Sequence, residues 1–235
     1  MEKFTLVLSL ILPILSVAMA QRKFVEVHNA YRAKESAKNM QEMTWVGAIK
    51  RNAYKVAKKC VWEHSSSDDR KITWRGQTTP TVVGENLMYT TGNQKLNVTK
   101  VLDLWYREKK DYNFRDNSCQ DGKVCGHYKQ VVWADSTKLG CSSVNCEPFY
   151  EIKNGAKVVK KPSATFVVCQ YGPAGNIKGK KPYKKGKPCT ACPMGTSCGQ
   201  NDPVELCSVQ MTKKQLLLDF LYQIQDMEED SSDGV

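Results

Sequence analysis

The sequence predicts an α+β fold, and three observations carry that prediction. Apolar residues recur at three- and four-residue spacing in several segments, two runs of β-formers lie among them, and ten cysteines are spread through a chain that opens with a secretory-type leader. The leader runs from Met1 to Ala20: Lys3, an apolar core from Phe4 to Val17, then Ala18-Met19-Ala20, a small-x-small site for signal peptidase. The apolar core is shorter than the roughly 20 residues a bilayer-spanning helix needs, and Pro13 interrupts it. Residues 1–20 are therefore expected to be a cleaved signal peptide, with Gln21 first in the mature chain and no transmembrane segment elsewhere.

Removing the leader leaves 215 residues, which suits one large domain with an appendage. Behind a signal peptide the even cysteine count reads as five disulfides in an oxidising compartment, not as metal thiolates. Eight cysteines already allow 105 connectivities and ten allow nine times that, so counting alone leaves the pairing open. The formal charge of +11 is unevenly placed. Ten lysines fall between Lys153 and Lys187, whereas Asp219, Asp226, Glu228, Glu229, Asp230 and Asp233 make the end acidic. Such lysines suit an anionic glycan, a lipid head group or an acidic host or cell-surface protein. A secreted chain with no nucleic-acid motif has no nucleic-acid partner to expect.

Each element follows in order. Phe24, Val27 and Tyr31, with His28 beside them, predict a first helix carrying Arg22, Lys23, Arg32 and Lys34. Ala48, Ile49, Ala53, Val56, Ala57 and Cys60 predict a second helix, led in by Trp45 and ending near Trp62; continued, it would put Cys60 and His64 on one face. Residues 65–83 read as a polar surface loop. Asn97-Val98-Thr99 is an N-glycosylation sequon. Val101, Leu102, Leu104, Trp105 and Tyr106 then open a helix whose one side would carry Trp105, Glu108 and Tyr112. Val131-Val132-Trp133 reads as a short buried strand with His127 on its approach, and Ala164 to Tyr171 as a second, stronger strand. Lys178 to Pro188 is a basic linker, and Cys189, Cys192, Cys198 and Cys207 form a compact cysteine-rich hinge. Thr212-Lys213-Lys214-Gln215 reads as a capping box before an amphipathic helix with Leu216, Leu217, Phe220, Leu221 and Ile224.

The run Gly126-His127-Tyr128-Lys129-Gln130-Val131-Val132-Trp133, followed by Ser136 and Gly140-Cys141, closely resembles the principal signature of the CAP superfamily, the cysteine-rich secretory, antigen-5 and pathogenesis-related proteins. Gly172-Pro173-Ala174-Gly175-Asn176 after the second strand resembles that family's second signature, and Gly84-Glu85-Asn86-Leu87 a shorter core match. Within the family the chain looks most like helminth venom allergen-like proteins. The resemblance implies an α-β-α sandwich CAP (SCP) domain with a mixed, largely antiparallel sheet over residues 22–188. A small disulfide-rich hinge (189–210) and a terminal helix with an acidic tail (211–235) would follow. It also implies the pairs Cys60–Cys146, Cys119–Cys125, Cys141–Cys169, Cys189–Cys198 and Cys192–Cys207. Val46-Gly47 departs from the family, which usually has an acidic residue just after the Trp45 position.

The same resemblance gathers His64, Glu85, Glu108 and His127 in a central cleft. Two neutral imidazoles are good ligands for zinc or a similar divalent metal, and the carboxylates would orient them. The resemblance implies a non-enzymatic, secreted lipid-binding protein for sterol or fatty acid, requiring no cofactor, with Tyr112, Asn113 and Phe114 as the sterol-contacting loop. A metal-dependent hydrolase using His64 and His127 is the alternative from a different class, as is a receptor or glycan ligand acting through the lysines. Against hydrolysis, the chain has no H-E-x-x-H helix to fix metal and base together, and the family resemblance supplies no G-x-S-x-G nucleophile.

Overall fold

A computed structural model describes residues 21–91, 96–199 and 205–212, together with residues 215, 217, 218, 221, 222 and 225. Residues 1–20, expected to be a signal peptide, the apolar positions Leu216, Phe220 and Ile224, and the acidic end of the tail lie outside the described residues.

Four strands build the central sheet. In chain order these are β1 (Thr44–Trp45), β4 (Gly84–Thr91), β7 (Lys138–Cys146) and β10 (Ala164–Gly172), and their spatial order is β1-β7-β10-β4. β1 runs parallel to β7, while β10 is antiparallel to both β7 and β4, so the sheet is mixed and largely antiparallel. β10 lies inside the sheet and all nine of its residues are buried, which explains its near-continuous apolar run. The period-two pleat divides that run between two faces. Val167, Cys169 and Tyr171 pack into one core with α1 (residues 21–33), α3 (Val98–Tyr106) and α4 (Gly126–Val131). Ala164, Phe166 and Val168 pack into another with α2 (Gly47–Ala57). The result is an α-β-α sandwich.

The smaller pieces are hairpins: β2 (Lys71–Ile72) with β3 (Thr81–Val82), β5 (Tyr112–Asn113) with β6 (Ser118–Cys119), β8 (Phe149–Lys153) with β9 (Ala156–Lys161), and β11 (Thr196–Cys198) with β12 (Cys207–Val209). The hinge that contains β11 and β12 docks on the domain, where Cys207 N donates to Met40 O at 2.8 Å and Glu42 N to Cys207 O at 2.9 Å. The disulfides are Cys60–Cys146, Cys119–Cys125, Cys141–Cys169, Cys189–Cys198 and Cys192–Cys207, and no cysteine is free. Thr212 and Gln215 exchange the reciprocal hydrogen bonds of a capping box, Gln215 N to Thr212 Oγ1 at 3.3 Å and Thr212 N to Gln215 Oε1 at 2.9 Å.

Four expectations are corrected. Val131-Val132-Trp133 is not a strand: α4 covers Gly126–Val131 and the chain turns before β7. A short apolar run has no period that separates a buried helix from a strand. The second helix stops at Ala57, short of Trp62, and Cys60 takes a φ of 53°, so Cys60 and His64 do not share a helix face. Residues 65–83 are more than a loop, because they carry the β2–β3 hairpin and bury Trp74 beside Ile49 and Val83. Arg32, placed among the charges along α1, is instead fully buried. Its guanidinium donates to the carbonyls of Gln41, Val131, Trp133 and Ala134, tying α1 to the C-terminal end of α4.

Candidate functional site

β4 is the spine of the cleft, because successive residues on it reach different partners. Glu85 has a side chain with no exposure and accepts four hydrogen bonds. Oε1 takes His64 Nδ1 at 2.8 Å and Ser65 N at 3.0 Å; Oε2 takes Ser65 Oγ at 2.7 Å and Gln170 Nε2 at 2.9 Å. Burial pushes this carboxyl up, but the bonds from His64, Ser65 and Gln170 outweigh that push and leave it below the ordinary carboxylate range. Glu85 is therefore a buried anion held by its donors. The His64 ring, by contrast, is 53% exposed.

The second pair repeats this chemistry on the helical side. Glu108 sits on the 3-10 turn Arg107–Asp111 that continues α3. Its Oε1 accepts from His127 Nδ1 at 2.6 Å, and its Oε2 accepts the backbone N–H groups of His127 at 3.0 Å and Tyr128 at 3.1 Å. Those N–H groups belong to the first turn of α4, whose orphan donors an acceptor must satisfy. Trp105 stacks on the His127 ring at 6.1 Å with only 8° between planes, while its indole Nε1 donates to Leu87 O at 3.2 Å.

Asn86 joins the two halves. Its Nδ2 donates to His127 O at 3.1 Å and to the Tyr171 hydroxyl at 3.2 Å. Tyr171 donates in turn to His28 Nε2 at 3.0 Å, and His28 Nδ1–H donates to Phe24 O at 2.7 Å. Every polar group on this buried path has a partner, and burial above all drives the His28 pKa down to about 3, so its imidazole is neutral.

The four residues named for the cleft thus form two carboxylate–imidazole pairs, each with its own hydrogen bonds, and the two sets meet at the neighbouring β4 residues Glu85 and Asn86. With Nδ1–H given to the carboxylate, each ring presents Nε2 as its lone-pair donor, the arrangement seen when a carboxylate orients a metal-binding histidine. A neutral imidazole offering Nε2 is the donor chemistry that zinc and similar divalent cations take. The described residues include only one trio of His, Cys, Asp or Glu ligand atoms within 4.8 Å of one another, Cys189, Cys192 and Cys207. All three sulfurs are in disulfides and cannot ligate as thiolates.

The loop Tyr112-Asn113-Phe114 lies elsewhere. Tyr112 and Phe114 are half-buried against the core, Tyr112 Oη donates to Asn117 Oδ1 at 2.7 Å, and Phe114 packs on Tyr183 at 4.7 Å. Sequence reasoning missed Ser65, Gln170 and Asn86 as supports of the site. Gln170 carried a readable signal, being a lone amide in an otherwise apolar strand, where a buried polar group must find a partner.

Sandwich, paired disulfides and the two His/Glu pairs together define a CAP-type scaffold. The chain belongs to this family: the cysteine-rich secretory protein family (CAP) model matches residues 25–171. Peptidase inhibitor 16 of Bos taurus is 38% identical over 74% of this chain, which spans only about a third (34%) of that relative's length. Among solved structures, the hookworm platelet inhibitor superposes with a TM-score of 0.59 at 26% identity, covering 82% of this chain and 92% of that one. NaASP2 with Zn2+ gives 0.51 at 28% identity over 72% and 87%. Venom allergen-like protein 4 of Schistosoma mansoni shares the fold at a TM-score of 0.51 and 24% identity, over 72% and 96%.

Proposed function

We propose that this is a secreted, non-enzymatic binding protein whose central cleft takes a divalent cation, zinc in the first instance, on His64 and His127. The observation that carries this reading is the pair of Nδ1–carboxylate bonds, His64 to Glu85 and His127 to Glu108. They orient both rings and raise their basicity as ligands. NaASP2, a relative in fold, was crystallised with Zn2+. Hydrolysis is disfavoured by the same bonds. A metal-bound water needs a carboxylate available as base, and both carboxylates here are already committed to ring and backbone donors. Titration calorimetry with Zn2+ tests the reading. His64→Ala and His127→Ala should each weaken binding by about tenfold or more, and Glu108→Gln by about 10–100-fold. Unchanged affinity in the double histidine variant would refute it.

Carriage of a sterol or fatty acid is the second reading, and a specific cavity favours it. A space of about 970 Å³ lies between β1, the start of α2, the turn after β2, the hinge and the terminal helix, with Trp45, Val46, Trp74, Val209, Leu218 and Tyr222 among its walls. That volume suits a lipid-sized ligand, with an apolar side at Trp45, Trp74 and Leu218 and polar groups such as Gln41, Arg75 and Gln215 on the rest of the wall. Trp45→Ala should weaken saturable binding of a labelled sterol or fatty acid in competition with unlabelled ligand. Absence of saturable binding for both classes would remove this reading.

A further inference from the structure

Six aromatic side chains drawn from separate segments form one continuous cluster. Tyr31 of α1 meets Tyr106 of α3 at 4.6 Å, Tyr106 meets Tyr128 of α4 at 5.6 Å, and Tyr128 meets Tyr112 of β5 at 5.7 Å. Tyr112 continues to Phe114 at 6.2 Å, and Phe114 to Tyr183 at 4.7 Å. Buried Glu35 anchors the cluster from within, accepting from Tyr106 at 2.7 Å and Tyr183 at 2.9 Å.

Four ammonium groups stand over these rings: Lys34 over Tyr31 at 4.0 Å, Lys109 over Tyr106 at 5.3 Å, Lys129 over Tyr112 at 5.8 Å and Lys181 over Phe114 at 5.2 Å. Lys109 also pairs with Glu35 at 3.0 Å. Among the described residues, Lys34, Lys129 and Lys181 have no carboxylate oxygen within 4.0 Å. The segment carrying Lys181 lies along the same face, since Asn117 Nδ2 donates to Lys180 O at 3.1 Å and Lys184 N donates to Asn39 Oδ1 at 2.7 Å. Exposed Lys178, Lys180, Lys184, Lys185 and Lys187 extend the positive surface. The rest of the lysine-rich stretch is a separate feature, on the β8–β9 hairpin, where Lys153 and Lys160 clamp Glu151 at 2.8 and 2.6 Å.

We propose that this aromatic-backed lysine face binds an extended sulfated polysaccharide. A lysine free in solvent gives up much rotamer freedom when fixed, whereas a ring beneath the ammonium holds it part-way in place beforehand. The array is thus preorganised, and an incoming anion orders less. A single exposed charge pair contributes little, so a lone sulfate or phosphate binds weakly while a chain that engages several lysines at once gains avidity. A bilayer is the poorer fit. Membrane-binding surfaces insert apolar side chains, and here the rings pack inward beneath their lysines.

This surface adjoins the cleft, since Tyr128 and Lys129 follow His127 and Lys109 follows Glu108, but it uses neither imidazole and shares no wall with the cavity. Heparin is the probe, with the full secreted chain, at about 0.15 M salt where the Debye length is about 8 Å. Lys34→Gln/Lys129→Gln/Lys181→Gln should weaken binding by about tenfold, the sum of three modest charge contacts, while the corresponding triple Lys→Arg variant binds within about twofold of wild type. The control is Lys55→Gln/Lys58→Gln/Lys59→Gln, the same charge change on and just beyond α2, across the sheet, which should shift affinity by less than about twofold. Equal losses in the two Gln variants would reduce the effect to net charge and overturn the proposal. So would failure of heparin to bind, whether or not phosphatidylserine vesicles do.

Discussion

His28 is fully buried between the Phe24 carbonyl and the Tyr171 hydroxyl, and its pKa is driven from 6.5 to about 3. Between those two values the unfolded chain takes up a proton that the folded chain refuses. Stability should therefore fall as pH is lowered from about 6.5 toward 3, by up to about 1.4 kcal/mol per pH unit from this group. Glu85 acts in the same direction further down: its depressed pKa gives stability that is present above the ordinary carboxylate range and lost as pH falls through the folded value. Urea denaturation midpoints measured from pH 7 to pH 4 check this. His28→Gln should cost about 1–3 kcal/mol at pH 7 and flatten the slope between pH 6.5 and 4; an unaltered slope would assign the dependence elsewhere. Asn97 supplies a second test at this scale. It is exposed, and its Oδ1 caps α3 by accepting from Lys100 N at 3.0 Å. A glycan joined through Nδ2 would leave that oxygen in place. Thr99→Ala should abolish the glycan, read as a mass decrease, yet keep the cap, whereas Asn97→Ala should lose both and about 1 kcal/mol more stability.

At the scale of elements, α2 and β7 approach each other backbone to backbone at Gly140. A Cβ built on Gly140 would stand 2.2 Å from Lys50 N and 2.6 Å from Ile49 C, both backbone atoms that cannot swing aside. Gly140→Ala should therefore cost at least about 1–3 kcal/mol, measurable as a lower urea midpoint, with the loss falling on the α2 side of the sheet. A glycine inside a strand often marks such a close approach of backbone. Elements with a long, clean period were legible: α1, α2 and β10 each repeat an apolar pattern over enough residues to reveal their faces. α4 was not, because it is six residues long and its apolar residues merge with Val132 and Trp133 into a run that suits a strand equally well. The end of α2 was missed for a related reason. Apolar spacing continues to Cys60, and only the left-handed backbone at that cysteine, invisible in composition, marks the break.

Across the whole molecule, the cleft exists only once the sheet and both helical layers are assembled. His64 follows α2, Glu85 lies on β4, Glu108 follows α3 and His127 opens α4. No local spacing joins residues so far apart, so the pairing of His64 with Glu85 and of His127 with Glu108 was suggested by the family signature and not by periodicity. The disulfides brace this assembly: Cys60–Cys146 closes the longest loop, 86 residues, beside the α2 core, and Cys119–Cys125 lies next to the start of α4. Each cross-link contributes on the order of 3 kcal/mol, mainly by restricting the unfolded chain. A framework held this way keeps two exposed or half-exposed imidazoles oriented without a metal, which is what an exchangeable binding site requires. The most direct measurement is anomalous diffraction at the zinc edge from crystals soaked in Zn2+. A peak is expected about 2.1 Å from Nε2 of both His64 and His127. A cleft without a peak under conditions that load zinc elsewhere, or a peak touching neither ring, would contradict it.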